Sequence, residues 1–329
     1  MANIDDVAKK AGVSKSTVSR VLLGGNKVKP STKERVLKVI EEMNYSPNTA
    51  ARTLAAGKSH NIGVISSYTL NDPFYSAAGE EIYHVCGEMG YSTLFVINRT
   101  DKNEHKDPIA LLHGKVDGFL FMGDNSVTKE QLEKLTKMEL PTAVFKTGEW
   151  IPGIIQADTD NIDGACRGTE YLIRLGHRRI AILTGKENYY ESIDRMKGYQ
   201  KALEENHIRF ESELVFPGQF SYDKARNLAK EIIASRATAV FCFNDVMAHG
   251  FIQGAGECGY RVPEDISVLG YDNIMFSNYD SYVHLSTVKQ PIKEMSAYLV
   301  RALIAQIEDG QPPVQKIFPT KISEKETTR

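Results

Sequence analysis

The chain opens on short amphipathic segments. Ile4, Val7, Ala8 and Ala11 share one face of a helix over 4–11, with Asn3 placed to cap its start and Gly12 to stop it. Val18, Val21 and Leu22 line a second helix over 15–22, which Ser14 can cap. After a loop rich in Gly and Lys at 24–27, Ser31 and Glu34 have capping-box spacing. They predict a third helix over 32–43 with Val36, Leu37, Ile40 and Met43 inward. Tyr45-Ser46-Pro47-Asn48 breaks the pattern, and 49–56 have room for barely two helical turns, too few to persist without support.

From Ile62 the rhythm changes. Short apolar runs recur at 62–65, 93–97, 118–122, 142–145, 154–156, 180–183, 239–243 and 267–270. Helical stretches at 76–89, 161–175, 195–206, 223–235, 246–258 and 291–308 lie between them. This alternation predicts an α/β body of parallel sheets covered by helices, long enough for two lobes, behind an all-α head.

Composition agrees with one large domain plus a small module: 329 residues, 42% of them hydrophobic. No apolar run approaches the ~20 residues of a membrane span. The first residues lack a basic segment followed by an apolar one, so a soluble, cytoplasmic protein is expected. Cys86, Cys166, Cys242 and Cys258 form no C-x-x-C pair and are expected to be buried thiols of a reducing compartment. His249, between Cys242 and Cys258, fits no zinc spacing; no metal site and no cofactor are expected. The net charge of −2 conceals an asymmetry. Residues 1–58 hold eleven Lys/Arg and five acids, a surplus of +6, which leaves 29 bases and 37 acids, or −8, for the rest. A basic head on an acidic body points to a polyanion as the partner of the head.

Two short helices joined by a tight turn at Gly12 read as a helix-turn-helix. Lys15, Ser16, Ser19 and Arg20 face away from the apolar side of the second helix. Its start directs Ser14, Lys15 and Ser16 toward base edges and phosphates of a major groove. Arg20 has the reach for a bidentate bond to guanine.

The run Ile4-Asp5-Asp6-Val7-Ala8, Gly12-Val13-Ser14 and Thr17-Val18-Ser19-Arg20-Val21-Leu22, then Asn44-Tyr45-Ser46-Pro47-Asn48 and Leu54, resembles the lactose/galactose repressor (LacI/GalR) family. The resemblance continues through Ile62-Gly63-Val64, Asp72-Pro73-Phe74-Tyr75, Leu175-Gly176-His177, Phe243-Asn244-Asp245, Val262-Pro263-Glu264-Asp265 and Gly270-Tyr271-Asp272-Asn273, to about residue 320. It implies a helix-turn-helix domain over 1–47 and a hinge helix and linker over 48–59. It also implies a periplasmic-binding-protein-like body over 60–329, with one lobe of about 60–160 and 290–320 and the other of about 161–289 and 321–329. Lys15, Ser16 and Arg20 then match base-reading positions; Ser14, Thr17 and Ser19 match phosphate-contacting or supporting ones. Leu23 departs from the family's usual Asn, which removes the side chain expected to contact the DNA backbone there. Asn48, Ala51 and Leu54 fall in the hinge, where Leu54 matches the leucine that wedges into a central base step of the minor groove. The implied protein is a homodimeric repressor on a pseudopalindromic operator of double-stranded DNA.

Ligands of open parallel sheets meet loops at the carboxyl ends of strands. Asp72, Phe74, Tyr75, Lys146, Tyr189, Glu191, Arg195, Asn244, Asp245 and Asp272 all follow predicted strands. That mixture of aromatic faces, carboxylates and fork-shaped donors suits a sugar-like effector. The resemblance assigns effector contacts to Phe74, Tyr75, Arg195, Phe220, Asn244 and Asp272. Lys146 beside Arg195 would favour an anionic sugar. Asn244 and Asp272 also have a plain alternative as helix caps, and Phe74 and Tyr75 one as core aromatics. An enzyme is not expected: no G-x-S-x-G, P-loop or paired-acid pattern is present, and Asp245 with His249 is an ordinary i,i+4 pair. The rival within the family is a catabolite-type regulator with a phosphorylated carrier protein as co-effector.

Overall fold

The structure, a computed structural model, describes residues 3–22, 28–45, 57–67, 72–98, 107–123, 126–274 and 283–329. The chain forms two compact units, Met1–His60 and Asn61–Arg329. Leu23 and the hinge positions Asn48, Ala51 and Leu54 lie outside the described residues.

The head contains α1 (Ile4–Ala11), α2 (Lys15–Leu22) and α3 (Pro30–Glu42). Asn3 Oδ1 accepts from the Asp5 and Asp6 amides at 2.9 and 3.0 Å, and Asp6 Oδ2 accepts from the Asn3 amide at 3.0 Å. This reciprocal cap fixes the start of α1. Gly12, at φ 63°, ends it in the left-handed region that a residue without Cβ enters without strain. The Ser14 hydroxyl accepts from the Thr17 amide at 3.2 Å. The third helix differs from expectation. It begins at Pro30, whose fixed φ and missing N–H suit the first helical position, and Lys29 stands at the cap with no side-chain bond; the Ser31–Glu34 box is not used. Its buried stripe also differs: Val36 and Val39, at i,i+3 spacing, face the core, whereas Leu37 is exposed. Val7, Ala8, Ala11, Val18, Val21, Val36 and Val39 form that core.

In the larger unit, β1 (Asn61–Ser66), α4 (Pro73–Glu88), β2 (Ser92–Ile97), α5 (Pro108–Leu112), β3 (Gly118–Met122), α6 (Lys129–Lys137), β4 (Thr142–Phe145) and β5 (Ile155–Thr159) alternate. The order then continues with α7 (Asn161–Arg174), β6 (Ile180–Leu183), α8 (Tyr190–Glu205), β7 (Val215–Phe216), α9 (Tyr222–Ala234), β8 (Ala239–Cys242), α10 (Asp245–Glu257) and β9 (Ser267–Asp272). It closes with β10 (Thr287–Lys289), α11 (Ile292–Asp309), β11 (Gln315–Phe318) and β12 (Lys321–Ser323). Two six-stranded sheets result, ordered β11-β5-β4-β3-β1-β2 and β12-β10-β9-β8-β6-β7. Every pairing is parallel except β10 with β12. The central strands β3, β4, β6, β8 and β9 are buried along their whole length, which is why they read as continuous apolar runs.

The chain passes between the sheets three times, after β5, after β10 and after β11. α4 and α11 cover one face of the first sheet with Ala78, Ile82, Val85, Met295, Leu299 and Leu303; α5 and α6 cover the other with Ile109, Leu112, Leu132 and Leu135. The second sheet carries its own core. Several helices start earlier than their apolar period suggests. α4 begins at Pro73 because Asp72 caps it, and α8 begins at Tyr190 with no side-chain cap to announce it. Cys258 is exposed, unlike the other three thiols, because it follows α10 on the surface side of its last turn.

Candidate functional site

In the head, the polar face of α2 is free. Ser14, Lys15, Ser16 and Arg20 are exposed, whereas Thr17 and Ser19 are half-buried against the bundle. Ser14 Oγ lies 2.8 Å from Ser16 Oγ and 2.9 Å from Thr17 Oγ1, so the three hydroxyls cluster at the helix start. Backbone amides there also carry the positive end of the helix dipole, the arrangement that receives a phosphate. Lys15 Nζ donates to Asp5 Oδ2 at 3.0 Å. Both partners of that pair are well exposed, so it contributes little and yields readily to a stronger anion.

In the body, ten expected effector residues, Asp72, Phe74, Tyr75, Lys146, Tyr189, Glu191, Arg195, Phe220, Asn244 and Asp272, line one cavity of about 270 Å³. It lies between the sheets. Asp72, with Phe74 and Tyr75 in the first turn of α4, follows β1 and Lys146 follows β4, while the others come from loops, helix starts and the end of β9 in the second sheet. Asp72 caps α4 through Oδ1, which accepts from the Phe74 and Tyr75 amides at 3.0 and 3.3 Å. Burial nevertheless raises its carboxyl above the usual range. Asn244 caps α10 by accepting from the Met247 amide at 2.9 Å, so it serves as cap and wall at once.

Arg195 is held on all sides. Its Nε donates to Asn161 Oδ1 at 2.9 Å and Nη1 donates to the Phe243 carbonyl. Nη2 lies 4.0 Å from Asp272 Oδ1, and the guanidinium sits 3.8 Å over the Tyr271 ring centroid. A fixed fork of this kind presents the same donor edge to every ligand. Asp272 is buried, and burial lifts its carboxyl to about 6 against the opposing pull of Arg195 and Lys146.

Lys146 bridges the lobes. Its Nζ lies 3.6 Å from Glu191 Oε1 at the start of α8, donates to Gln290 Oε1 at 3.4 Å, and sits 4.9 Å over the Phe74 ring. Glu191 Oε2 is buried with no hydrogen-bond partner. Each cation expected to attract an anionic sugar therefore already faces a carboxylate. The cavity balances Lys146, Lys186 and Arg195 against Asp72, Glu191 and Asp272.

Sequence reasoning missed Lys186, Gln219, Val246 and Ile274 in the wall and Gln290 behind it. Gln290, in the crossover after β10, is 2% exposed. It accepts from Thr159 Oγ1 at 2.8 Å and donates to Asp272 Oδ1 at 2.6 Å, besides accepting from Lys146. No local motif marks it, because its three partners come from distant segments. A backbone signal does exist: Lys146, Gln219, Phe220 and Asp272 all have positive φ, at 60°, 55°, 57° and 119°. Such strain collects where a site fixes side-chain direction. Phe220 also needs its neighbour: a Cβ on Gly185 would stand 2.0 Å from the Phe220 ring and 2.2 Å from Ser192 Oγ.

Asp245 is buried, accepting from Thr287 Oγ1 at 2.6 Å and the Ile274 amide at 2.9 Å, and so ties the end of β9 to the start of α10. Burial pushes the Asp245 carboxyl well up and the His249 imidazole down to about 4. No helix among the described residues is long and apolar enough to cross a membrane.

Residues 3–48 match the model of bacterial regulatory proteins of the lacI family, and 169–328 that of the periplasmic binding protein-like domain. The HTH-type transcriptional repressor PurR of Vibrio atlanticus (strain LGP32) is 37% identical over 316 residues, covering 94% of this chain and 93% of the relative. Among solved structures, the lac repressor dimer bound to operator and the anti-inducer ONPF is 26% identical with a TM-score of 0.82, covering 99% of each chain. The complex of the transcriptional regulator CelR with cellobiose is 27% identical with a TM-score of 0.72, covering 99% of this chain and 100% of the other. A helix-turn-helix head, a body of two parallel sheets crossed three times and these similarities together identify the chain as belonging to the LacI family of bacterial regulatory proteins, a DNA-binding transcriptional repressor.

Proposed function

We propose that a carbohydrate binds between the lobes of the body and sets how tightly the head holds its operator. The observation that carries this reading is the convergence of Phe74, Tyr189 and Phe220 with Asp72, Arg195, Asn244 and Asp272 on one cavity. Aromatic faces meet sugar C–H surfaces, while carboxylates, an amide and a fixed guanidinium order hydroxyl groups. The balance of three cations and three acids favours a neutral sugar over an anionic one. The complex of the similar regulator CelR with cellobiose supports the same class.

Control follows from the crossings. Lys146, Glu191 and Gln290 join both lobes at the wall of the cavity, so a ligand that separates or tightens them changes the lobe arrangement. The protein acts as a homodimer, with Leu54 from each hinge wedged into the centre of a pseudopalindrome. Ser14, Lys15, Ser16, Thr17, Ser19 and Arg20 read and hold each half-site.

Selection of bound fragments from a random DNA pool defines the operator. Anisotropy of that operator then measures retention with neutral sugars, anionic sugars and a phosphorylated carrier protein. A neutral sugar that shifts affinity, with calorimetric binding to the isolated protein, is the expected result. A response to the carrier protein alone moves the assignment to the catabolite-type regulator, and no response to any sugar defeats the carbohydrate reading.

A further inference from the structure

The effector cavity ends at a wall. A second cavity, of about 350 Å³, lies behind it, and the two share no lining residue. The period of α8 separates them: Glu191 and Arg195 line the effector cavity, whereas Tyr190 and Asp194, one position earlier in each turn, line the other.

Four polar contacts run through this wall. Lys146 Nζ meets Glu191 Oε1 at 3.6 Å on the effector side. The Tyr190 hydroxyl donates to Asp158 Oδ2 at 2.9 Å on the far side. Arg195 Nε donates to Asn161 Oδ1 at 2.9 Å, and Thr159 Oγ1 donates to Gln290 Oε1 at 2.8 Å. Apart from Tyr190, every residue of these contacts is buried. A bond broken there finds no water to replace it, so the wall does not part cheaply. The Tyr190 ring fills the remaining gap: a Cβ on Gly148 would stand 2.5 Å from its Cγ.

What the wall leaves on the effector side is a compartment of about 270 Å³. That lies below the ~300–1,000 Å³ of pockets that enclose drug-sized ligands. At the close packing that protein interiors share with organic crystals, a hexose fills about 190 Å³ and a hexose disaccharide about 350 Å³. The first fits with space for about two or three waters of ~30 Å³ each. The second does not fit. Its outer ring has either to break the wall or to leave by the mouth, away from the aromatic and carboxylate groups that would order it.

We propose that the effector is a monosaccharide, and that the first turn of α8, packed against the ends of β4 and β5, is the element that excludes a second sugar ring. The inference rests on the carbohydrate reading of the cavity and narrows it. Glu191 and Tyr190 are then size-determining residues, one on each face of the wall.

Calorimetry on the full-length protein compares glucose, galactose, mannose and ribose with cellobiose, lactose and maltose. Binding of a monosaccharide is expected, with every disaccharide about tenfold weaker or more, the effect of forcing an oversized group into a packed wall. Tyr190→Phe keeps the ring against Gly148, and Asp158 Oδ2 keeps the Thr147 and Gly148 amides at 3.1 Å each, so that variant should retain the preference. The double variant Tyr190→Ala, Glu191→Ala takes the side chains off both faces of the wall and should reduce the preference to below about threefold. A disaccharide that matches or exceeds the monosaccharides in affinity for the parent protein overturns the inference while the carbohydrate reading stands. An unchanged preference in the folded double variant overturns it too, and if that variant does not fold, the parent comparison alone decides. A panel in which no sugar binds removes both readings together.

Discussion

Lys146 and Glu191 offer a sharp test of how the lobes are joined. Their side chains are 3% and 8% exposed and 3.6 Å apart. Lys146→Met leaves the Glu191 carboxylate buried with its nearest countercharge gone, and Oε2 already has no partner. Removing one member of a buried pair costs about 3–5 kcal/mol. The separation exceeds the 2.7–2.9 Å typical of a charge-assisted hydrogen bond, so the lower end, about 3 kcal/mol, applies. For a domain of this size, that lowers Tm by roughly 6–12 °C. Glu191→Met leaves the ammonium its hydrogen bond to Gln290 and the fields of Asp72, Asp158 and Asp272, so it should lose less than Lys146→Met does. The double variant Lys146→Met, Glu191→Met removes both charges and should return to within about 1 kcal/mol of the parent, because apolar replacement of an entire buried pair is close to neutral. Denaturant unfolding of the four proteins closes the cycle. If the two single losses simply add, with a coupling below about 0.5 kcal/mol, the charges do not hold the lobes to each other and the argument fails.

Arg20→Ala should weaken operator binding by about 1–3 kcal/mol, or roughly 5- to 150-fold, without altering carbohydrate affinity; an equal loss on unrelated DNA would show that Arg20 grips phosphate instead of a base. Asp272 holds its proton up to about 6, above the ordinary carboxyl value of 3.8. Its contribution therefore stabilises the fold below the lower value and is lost as pH rises through the higher one. Asp272→Asn should accordingly flatten the fall in stability between about pH 4 and pH 7, and melting curves with the same slope as the parent would contradict this. Gly198→Ala sets a Cβ 2.3 Å from the Ile162 carbonyl oxygen and 2.8 Å from the Ala165 Cβ, where α7 and α8 touch. A loss of about 1–3 kcal/mol is expected, and unchanged thermal unfolding would mean that the two helices do not approach so closely.

Where the signals are local, they can be read directly from the chain. Asn3 and Gly12 bound α1 because each acts through its own neighbours. The apolar runs of β3, β4, β6 and β8 are legible because both of their faces are buried. Short strands with polar residues are not: Thr287–Lys289, Gln315–Phe318 and Lys321–Ser323 become strands only because β9, β5 and β10 lie beside them. At the start of α3 two local rules compete, and the proline at its first position prevails over the serine–glutamate spacing. At the cavity, topology alone put residues after strands on one rim. The identity of Lys146 suggested attraction to an anion, but the structure supplies its partner from a helix 45 positions away. Gln290 carries no mark of its role until three distant segments meet on its amide.

The left-handed backbone at Lys146, Gln219, Phe220 and Asp272 has a practical consequence for re-engineering this cavity toward a new ligand. A randomised library at those rim codons would waste most of its Val, Ile and Thr members, because branching at Cβ clashes with the local backbone before any ligand arrives. Asn, Asp, Gly and unbranched side chains are the productive alphabet there, whereas Tyr189, on extended backbone and with no side-chain cap to lose, accepts branched residues without that backbone penalty.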